Sequence, residues 1–194
     1  MISKLAKNIA HFFVVQKIVE ESREAIYAYG MELLLSDVLN ALIVLLISLI
    51  SHTLPAVIVF TTVFMGLRKF VGGYHANSHL SCLFTLVVVM LIFSYGICNV
   101  SEKYTWVVSM GFVVISIPVI FNLAPVPHPN KPMSDEKKVK LKRHSRIFTL
   151  LLSILVFLLI IFRLNTISLY VSSGIFLSAF AAVMGSRLNR GDEC

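Results

Sequence analysis

Long apolar runs separated by short polar breaks dominate this chain. A helix needs roughly 20 apolar residues to cross a bilayer. The run 33–67 holds a single carboxylate, Asp37, and is too long for one crossing. Its polar break at 51–53, followed by Pro55, predicts two helices folded as a hairpin. Together the apolar runs predict six membrane helices, at 33–51, 54–69, 80–101, 104–124, 147–162 and 164–186.

The first 28 residues have a different pattern. Apolar side chains recur at helical spacing with lysines between them, which predicts an amphipathic helix over 1–28. Such a helix lies on the inner leaflet or packs on the bundle or a partner. We expect no signal peptide here, because a continuous apolar core and a small-residue cleavage site are missing. The recurring apolar residues are Ile2, Leu5, Ile9, Phe12, Phe13 and Val19.

Composition narrows the class of protein. Of the 194 residues, 57% are hydrophobic and only 14% are charged, against about 25% charged in a typical soluble domain. This excludes a soluble globular domain, a disordered tail and a disulfide scaffold. The sequence therefore predicts an all-α integral membrane protein, built as a single polytopic domain over 1–194.

The distribution of basic residues predicts the orientation. The net charge is +7, and cytoplasmic loops of membrane proteins are enriched in Lys and Arg. With the N-terminus in the cytoplasm, all of the 17 Lys and Arg residues except Lys103 and Arg163 lie inside. We therefore expect both termini in the cytoplasm and a basic cytoplasmic loop at 125–146. The basic excess is better explained by this asymmetry than by a nucleic-acid partner.

The polar turn between the second and third membrane helices carries candidate chemistry. Gly72 and Gly73 allow a sharp turn, and Asn77 or Ser78 is a suitable N-cap for the next helix. Cys82 then falls in the first turn of that helix. The helix N-terminus attracts a thiolate, which is the nucleophilic form of cysteine. The turn thus predicts nucleophilic attack on a carbonyl.

The sequence spacing of His75 and His79 from Cys82 does not decide which histidine is the base. His75 would stand about 10.5 Å from Cys82 in a continuous helix, so its segment must fold back to reach the thiol. His79, three residues from Cys82, is an equal rival. A metal site of His75, His79 and Cys82 is a weaker reading. Asp37 could orient His75, form an interhelical hydrogen bond or lie near the wet interface.

Two sequence blocks resemble the accessory gene regulator B (AgrB) family of membrane cysteine endopeptidases in Gram-positive quorum sensing. The first is Arg68-Lys69, then Gly72-Gly73-Tyr74-His75-Ala76 and Cys82. The second runs from Ala124 to Pro132 and leads into the basic segment that ends at Arg146. The resemblance implies that His75 and Cys82 are the catalytic pair and that His79 is a polar interface residue.

The resemblance also implies the reaction and its partners. The substrate is an AgrD-like propeptide whose C-terminal tail is cleaved, leaving an acyl thioester on Cys82 that closes to a thiolactone or lactone. From their position, Arg68 and Lys69 either place substrate carboxylates or act only as topogenic charge at the inner interface. The basic segment starting at Lys131 likewise either binds the acidic tail or anionic lipid, or serves only as a positive-inside signal. Gly72, Gly73 and Asn77 complete the expected substrate-binding set, with Asn77 or backbone N–H groups as oxyanion donors.

We expect no metal or other cofactor, a multi-pass location in the bacterial cell membrane, contact with membrane lipid and a homodimer. The alternative function is a membrane peptide exporter without proteolytic activity. A metal- or haem-binding membrane protein is a third class. Its candidate histidines, however, lie in the expected loops rather than in facing pairs within the spans.

Overall fold

The computed structural model describes residues 2–73, 79–126 and 134–191, without the side chains of residues 79, 80 and 188–191. The described residues form seven α-helices joined by turns. Helix α4 is prolonged by a π-helical turn, Ile92–Gly96, and a 3₁₀ turn, Ile97–Asn99. The helices are α1 (Ile2–Val15), α2 (Glu24–Ile50), α3 (Leu54–Val71), α4 (His79–Leu91), α5 (Glu102–Leu123), α6 (Asp135–Ile161) and α7 (Asn165–Gly191).

Six of the described helical segments are long and apolar enough to span a membrane, which confirms the predicted fold class. The first helix is shorter than expected, because α1 ends at Val15 rather than near residue 28. A turn with Lys17 at φ 57° and a 3₁₀ turn, Glu21–Arg23, follow it. Helix α2 then begins at Glu24, nine residues before its apolar run.

The sequence predicts a loop over the whole of 125–146, and this prediction is wrong for the part from Asp135 onward, which is helical. Helix α6 begins at Asp135 and continues without a break into the membrane-spanning residues. Asp135 and Glu136 occupy its first turn, where the partial positive charge of the helix N-terminus stabilises carboxylates. The lysines that follow are good helix formers. The basic residues 137–146 therefore extend α6 beyond the apolar span.

Helices α3, α5, α6 and α7 pack together into what we call the body, with α7 contacting the other three. Small residues on α7 allow this close packing. The Ser109 and Ser168 hydroxyls, which lie 3.1 Å apart, join α5 to α7 inside it. Its buried core includes Val63, Leu67, Val71, Val113, Ile120, Val156, Val171, Ile175, Ala179 and Ala182.

Helices α1, α2 and α4 form a second group, which we call the flank. Helix α4 packs chiefly on α2. Helix α1 also packs on α2, through the fully buried Ala6 and Ala10. Leu5 and Phe12 of α1 are exposed. The N-terminal helix thus rests on the bundle and keeps an apolar strip free for lipid.

The two ends of the bundle differ in chemistry. The basic end, as we name it, holds the C-termini of α3, α5 and α7 and the N-termini of α2, α4 and α6. Arg68 and Lys69 lie there in the last turn of α3, together with the lysines of α6. At the opposite end, the Thr53 hydroxyl lies 3.1 Å from the Ser94 hydroxyl and ties the turn between α2 and α3 to the end of α4.

Candidate active site at the basic end

Cys82 is the fourth residue of α4, so it lies in the first turn of that helix as predicted. Its side chain is exposed. The first N–H groups of an α-helix lack intrahelical acceptors and carry partial positive charge. The thiol therefore combines access with a helix terminus that favours a thiolate.

Arg68 lies close enough to Cys82 for an electrostatic interaction between the guanidinium and the sulfur. Arg68 is half-buried in the last turn of α3, and its guanidinium carbon stands 5.4 Å from the centre of the Phe64 ring. This stacking directs the long side chain along α3. Arg68 of the body and Cys82 of the flank thus bring a cation and a thiol together at the boundary between the two helix groups.

The Gly72-Gly73 pair is fixed by backbone contacts on two sides. Gly72 has φ 72° and Gly73 has φ 124°, both in the region that favours glycine. A Cβ atom on Gly73 would meet the Ala181 carbonyl oxygen of α7 at 2.7 Å, and one on Gly72 would meet that of Val126. Both positions therefore require glycine, for conformation and for space.

Val126 joins this turn to the end of α5. Its N–H donates a 2.9 Å hydrogen bond to the Val71 carbonyl, and Val126 and Gly72 form an isolated parallel bridge. The peptide bond between Ala124 and Pro125 is cis. Through the contacts of Val126 with Val71 and Gly72, the chain leaving α5 runs directly beside the glycine pair.

Arg146 of α6 caps the same end of α5. Its Nη2 donates a 2.9 Å hydrogen bond to the Phe121 carbonyl, and its guanidinium carbon stands 5.2 Å from the Phe121 ring centre. Its Nε is buried without a hydrogen-bond partner among the described residues. Arg146 thus ties the basic part of α6 to the chain segment that holds the glycine turn.

A ring contact ties α6 to α3 as well. The His144 ring is stacked 5.8 Å from the Phe70 ring, and the His144 Nδ1 lies 2.7 Å from the Lys140 carbonyl oxygen. Phe148 meets the edge of Phe70 with ring centres 5.7 Å apart. These contacts hold the basic segment against the last turn of α3, next to Arg68 and Lys69.

Several predicted site residues lie outside the described part of the chain. They are His75, Asn77 and Lys131, together with the side chain of His79. The choice between His75 and His79, and the metal reading, therefore stay predictions. Lys69 is exposed beside Arg68. Asp37 is exposed on α2 and makes no ion pair or hydrogen bond within the described residues.

The family model described as accessory gene regulator B matches residues 2–182, which is most of the chain. The protein belongs to the AgrB family. AgrB proteins act in accessory gene regulator quorum sensing, together with an AgrD propeptide. The matched range includes both the glycine turn and Ala181.

Individual AgrB relatives are similar at moderate identity. An AgrB-like protein of Clostridium perfringens (strain 13 / Type A) is 27% identical over 169 residues, which cover 84% of this chain and 79% of the relative. The accessory gene regulator protein B of Staphylococcus epidermidis is 27% identical over 119 residues, covering 61% and 60%. No solved structure matches the chain.

Sequence reasoning missed three contributors to this site. Val126 and Ala181 act through backbone atoms, which carry no side-chain signal. Arg146 was counted only as one charge of a basic loop. A cue for Arg146 was available, since it is the last cation before the apolar run of α6 and lies where a basic side chain can reach a helix C-terminus.

Proposed function

We propose that this protein is a membrane cysteine endopeptidase that removes the C-terminal tail of an AgrD-like propeptide. The position of Cys82 carries the proposal. The thiol is exposed, lies in the first turn of α4 and interacts with Arg68. Membership of the AgrB family supports the substrate class.

In the proposed reaction His75 acts as the base. Its imidazole takes the proton of the Cys82 thiol, and the thiolate attacks the carbonyl carbon between core and tail. The C–N bond breaks, and the imidazolium returns its proton to the leaving amine of the tail. The core remains bound to Cys82 as a thioester.

Ring closure follows without an external energy source, because the thioester keeps the acyl group activated. A Cys or Ser side chain of the core attacks the thioester carbonyl, and His75 accepts the proton of that side chain. The Cys82 sulfur leaves and takes the proton back from His75. The product is a thiolactone or a lactone. Exclusion of water at the membrane boundary favours this step over hydrolysis.

The other residues serve binding and placement in this proposal. Arg68 attracts the thiolate and, with Lys69, the carboxylates of the substrate. Gly72 and Gly73 let the backbone approach the peptide, and Asn77 assists at the oxyanion. Lys131 and the basic start of α6 receive the acidic tail. No metal or other cofactor takes part.

We further propose that the basic end faces the cytoplasm of a bacterial cell, with both termini on that side. Most Lys and Arg residues would then obey the positive-inside rule. A propeptide made in the cytoplasm could reach Cys82 directly. A homodimer in contact with membrane lipid is the proposed assembly.

Three variants test the peptidase. In lipid nanodiscs with an AgrD propeptide, Cys82→Ser and His75→Ala should abolish tail release, whereas His79→Ala should keep it. Mass spectrometry should detect the core attached to Cys82 in the wild-type protein. Tail release by Cys82→Ser would refute the proposal. Peptide movement across the membrane without cleavage would favour the exporter instead.

A further inference from the structure

Three residues spaced four apart form a row along α3. They are Phe60, Phe64 and Arg68, and residues at this spacing lie on one face of a helix. The Phe60 and Phe64 rings are stacked with their centres 6.4 Å apart, and the Arg68 guanidinium carbon stands 5.4 Å from the Phe64 ring centre. The half-buried Phe64 therefore links an aromatic side chain of the interior to the cation that interacts with Cys82.

This row faces the helix that carries Cys82. The Phe60 ring stacks on the Phe93 ring with centres 4.1 Å apart, and each side chain is only 2% exposed. Phe93 follows Cys82 by eleven residues, about three helical turns, so the two project from nearly the same side of their helix. Arg68 and Cys82 both lie nearer the basic end than this ring stack. The same two helix faces therefore carry the aromatic contact in the interior and the cation and thiol at the basic end.

Arg68 does not take the position that its charge alone would favour. A long cationic side chain near the end of a membrane helix extends towards water. Arg68 is instead half-buried, with its guanidinium over a ring four residues earlier, about 6 Å further from the basic end. The negative face of the Phe64 ring attracts the cation. Without that ring the guanidinium could extend into water, where its interaction with the Cys82 sulfur would be screened.

We propose that Phe64 is a positioning residue for the Cys82 thiol and acts through Arg68. Its ring holds the guanidinium on the face of α3 that is turned towards α4. There the cation stabilises the thiolate and receives a carboxylate of the substrate. The second of these roles rests on the proposed function, whereas the first is a property of the thiol that can be measured without propeptide.

The rate at which iodoacetamide alkylates Cys82 tests the assignment, measured in nanodiscs with Cys98→Ser/Cys194→Ser protein. Phe64→Leu keeps an apolar side chain but removes the ring, and it should slow alkylation about twofold, as much as Arg68→Leu does. The double variant Phe64→Leu/Arg68→Leu should be no slower than Arg68→Leu alone, because both changes remove the same interaction.

A change that keeps the shape of the ring separates the contact with the cation from ordinary packing. Trifluorophenylalanine at position 64 has a ring of similar size with a less negative face, which weakens its attraction for a cation. It should slow alkylation, whereas Phe64→Tyr should retain the rate. Phe112→Leu is the control, since it removes a ring stacked 4.6 Å from Phe176 elsewhere in the body, and it should leave the rate unchanged.

An unchanged alkylation rate with trifluorophenylalanine at position 64 would overturn the assignment and make Phe64 a packing residue. Additive slowing in the Phe64→Leu/Arg68→Leu protein would overturn it as well, because Phe64 would then act independently of Arg68. Both results are separate from the fate of the peptidase proposal. Iodoacetamide reacts with Cys82 in the absence of propeptide, so the alkylation rates decide the role of Phe64 even if Cys82→Ser still releases the tail.

Discussion

The Arg68 guanidinium at the end of α3 interacts electrostatically with the Cys82 sulfur in the first turn of α4. The two residues belong to different parts of the molecule, since Arg68 is in the body and Cys82 is in the flank. The proposed nucleophile therefore depends on how these two helix groups meet.

Replacing Arg68 should slow alkylation of Cys82. An exposed charge pair contributes about 0.2–1 kcal/mol, so Arg68→Leu should reduce the rate with iodoacetamide roughly twofold. Arg68→Lys should retain most of the rate. The measurement uses Cys98→Ser/Cys194→Ser protein, in which Cys82 is the remaining thiol. Lys69→Leu is the matched control, and an equal slowing by that variant would contradict a specific Arg68 effect.

Gly73→Ala should abolish most tail release while the bundle stays folded. The new methyl group would stand 2.7 Å from the Ala181 carbonyl oxygen at a residue with φ 124°. A strained backbone of this kind costs about 1–3 kcal/mol, which the turn can relieve only by moving. Tail release should fall more than tenfold. Gly30→Ala, where a Cβ meets nothing within 4 Å, should remain active; full activity of Gly73→Ala would show that the turn tolerates displacement.

Gly174→Val should destabilise the body itself. A Cβ at Gly174 would stand 2.9 Å from the Val63 side chain and 3.0 Å from the Phe60 carbonyl oxygen, so α3 and α7 must separate. Overpacking of this kind costs about 1–3 kcal/mol and should lower the Tm measured in detergent. Gly111→Ala has open space at its Cβ and should leave the Tm unchanged or raised. An unchanged Tm in Gly174→Val would contradict the close helix contact.

Arg146→Ala should loosen the chain that leaves α5. Loss of the hydrogen bond to the Phe121 carbonyl frees the segment whose Val126 N–H is bonded to Val71. Hydrogen exchange at Val126 should accelerate about tenfold, because local opening then requires less free energy. Arg143→Ala removes an exposed cation of the same helix and should leave exchange unchanged. Unchanged protection of the Val126 N–H from exchange in Arg146→Ala would show that its hydrogen bond to Val71 does not depend on Arg146.

The helices of this fold could be predicted because their signal is local. The run 33–67 exceeds one crossing, and its polar break at 51–53 matches the turn between α2 and α3. Boundaries at the polar ends were less accurate. The charge of residues 135–146 is typical of a solvated loop and predicts one there, although Asp135 and Glu136 are favourable in a first helical turn.

Of the candidate site, only the position of the functional side chains could be predicted from the sequence. The placement of Cys82 follows from the apolar run that begins beside it. The contact of Gly73 with Ala181 could not be predicted, because it joins backbone atoms far apart in sequence and depends on how α3 and α7 cross.

The contact between Gly73 and Ala181 also has a consequence for biosynthesis. Residues 72 and 73 are made early, but the carbonyl against which Gly73 rests belongs to α7, more than 100 residues later in the chain. A ribosome-bound chain that has inserted only its first five spans lacks this contact with Ala181. The turn before Cys82 acquires its final shape only when α7 enters the bundle. Newly made protein should therefore begin to process propeptide only after α7 has been synthesised and inserted.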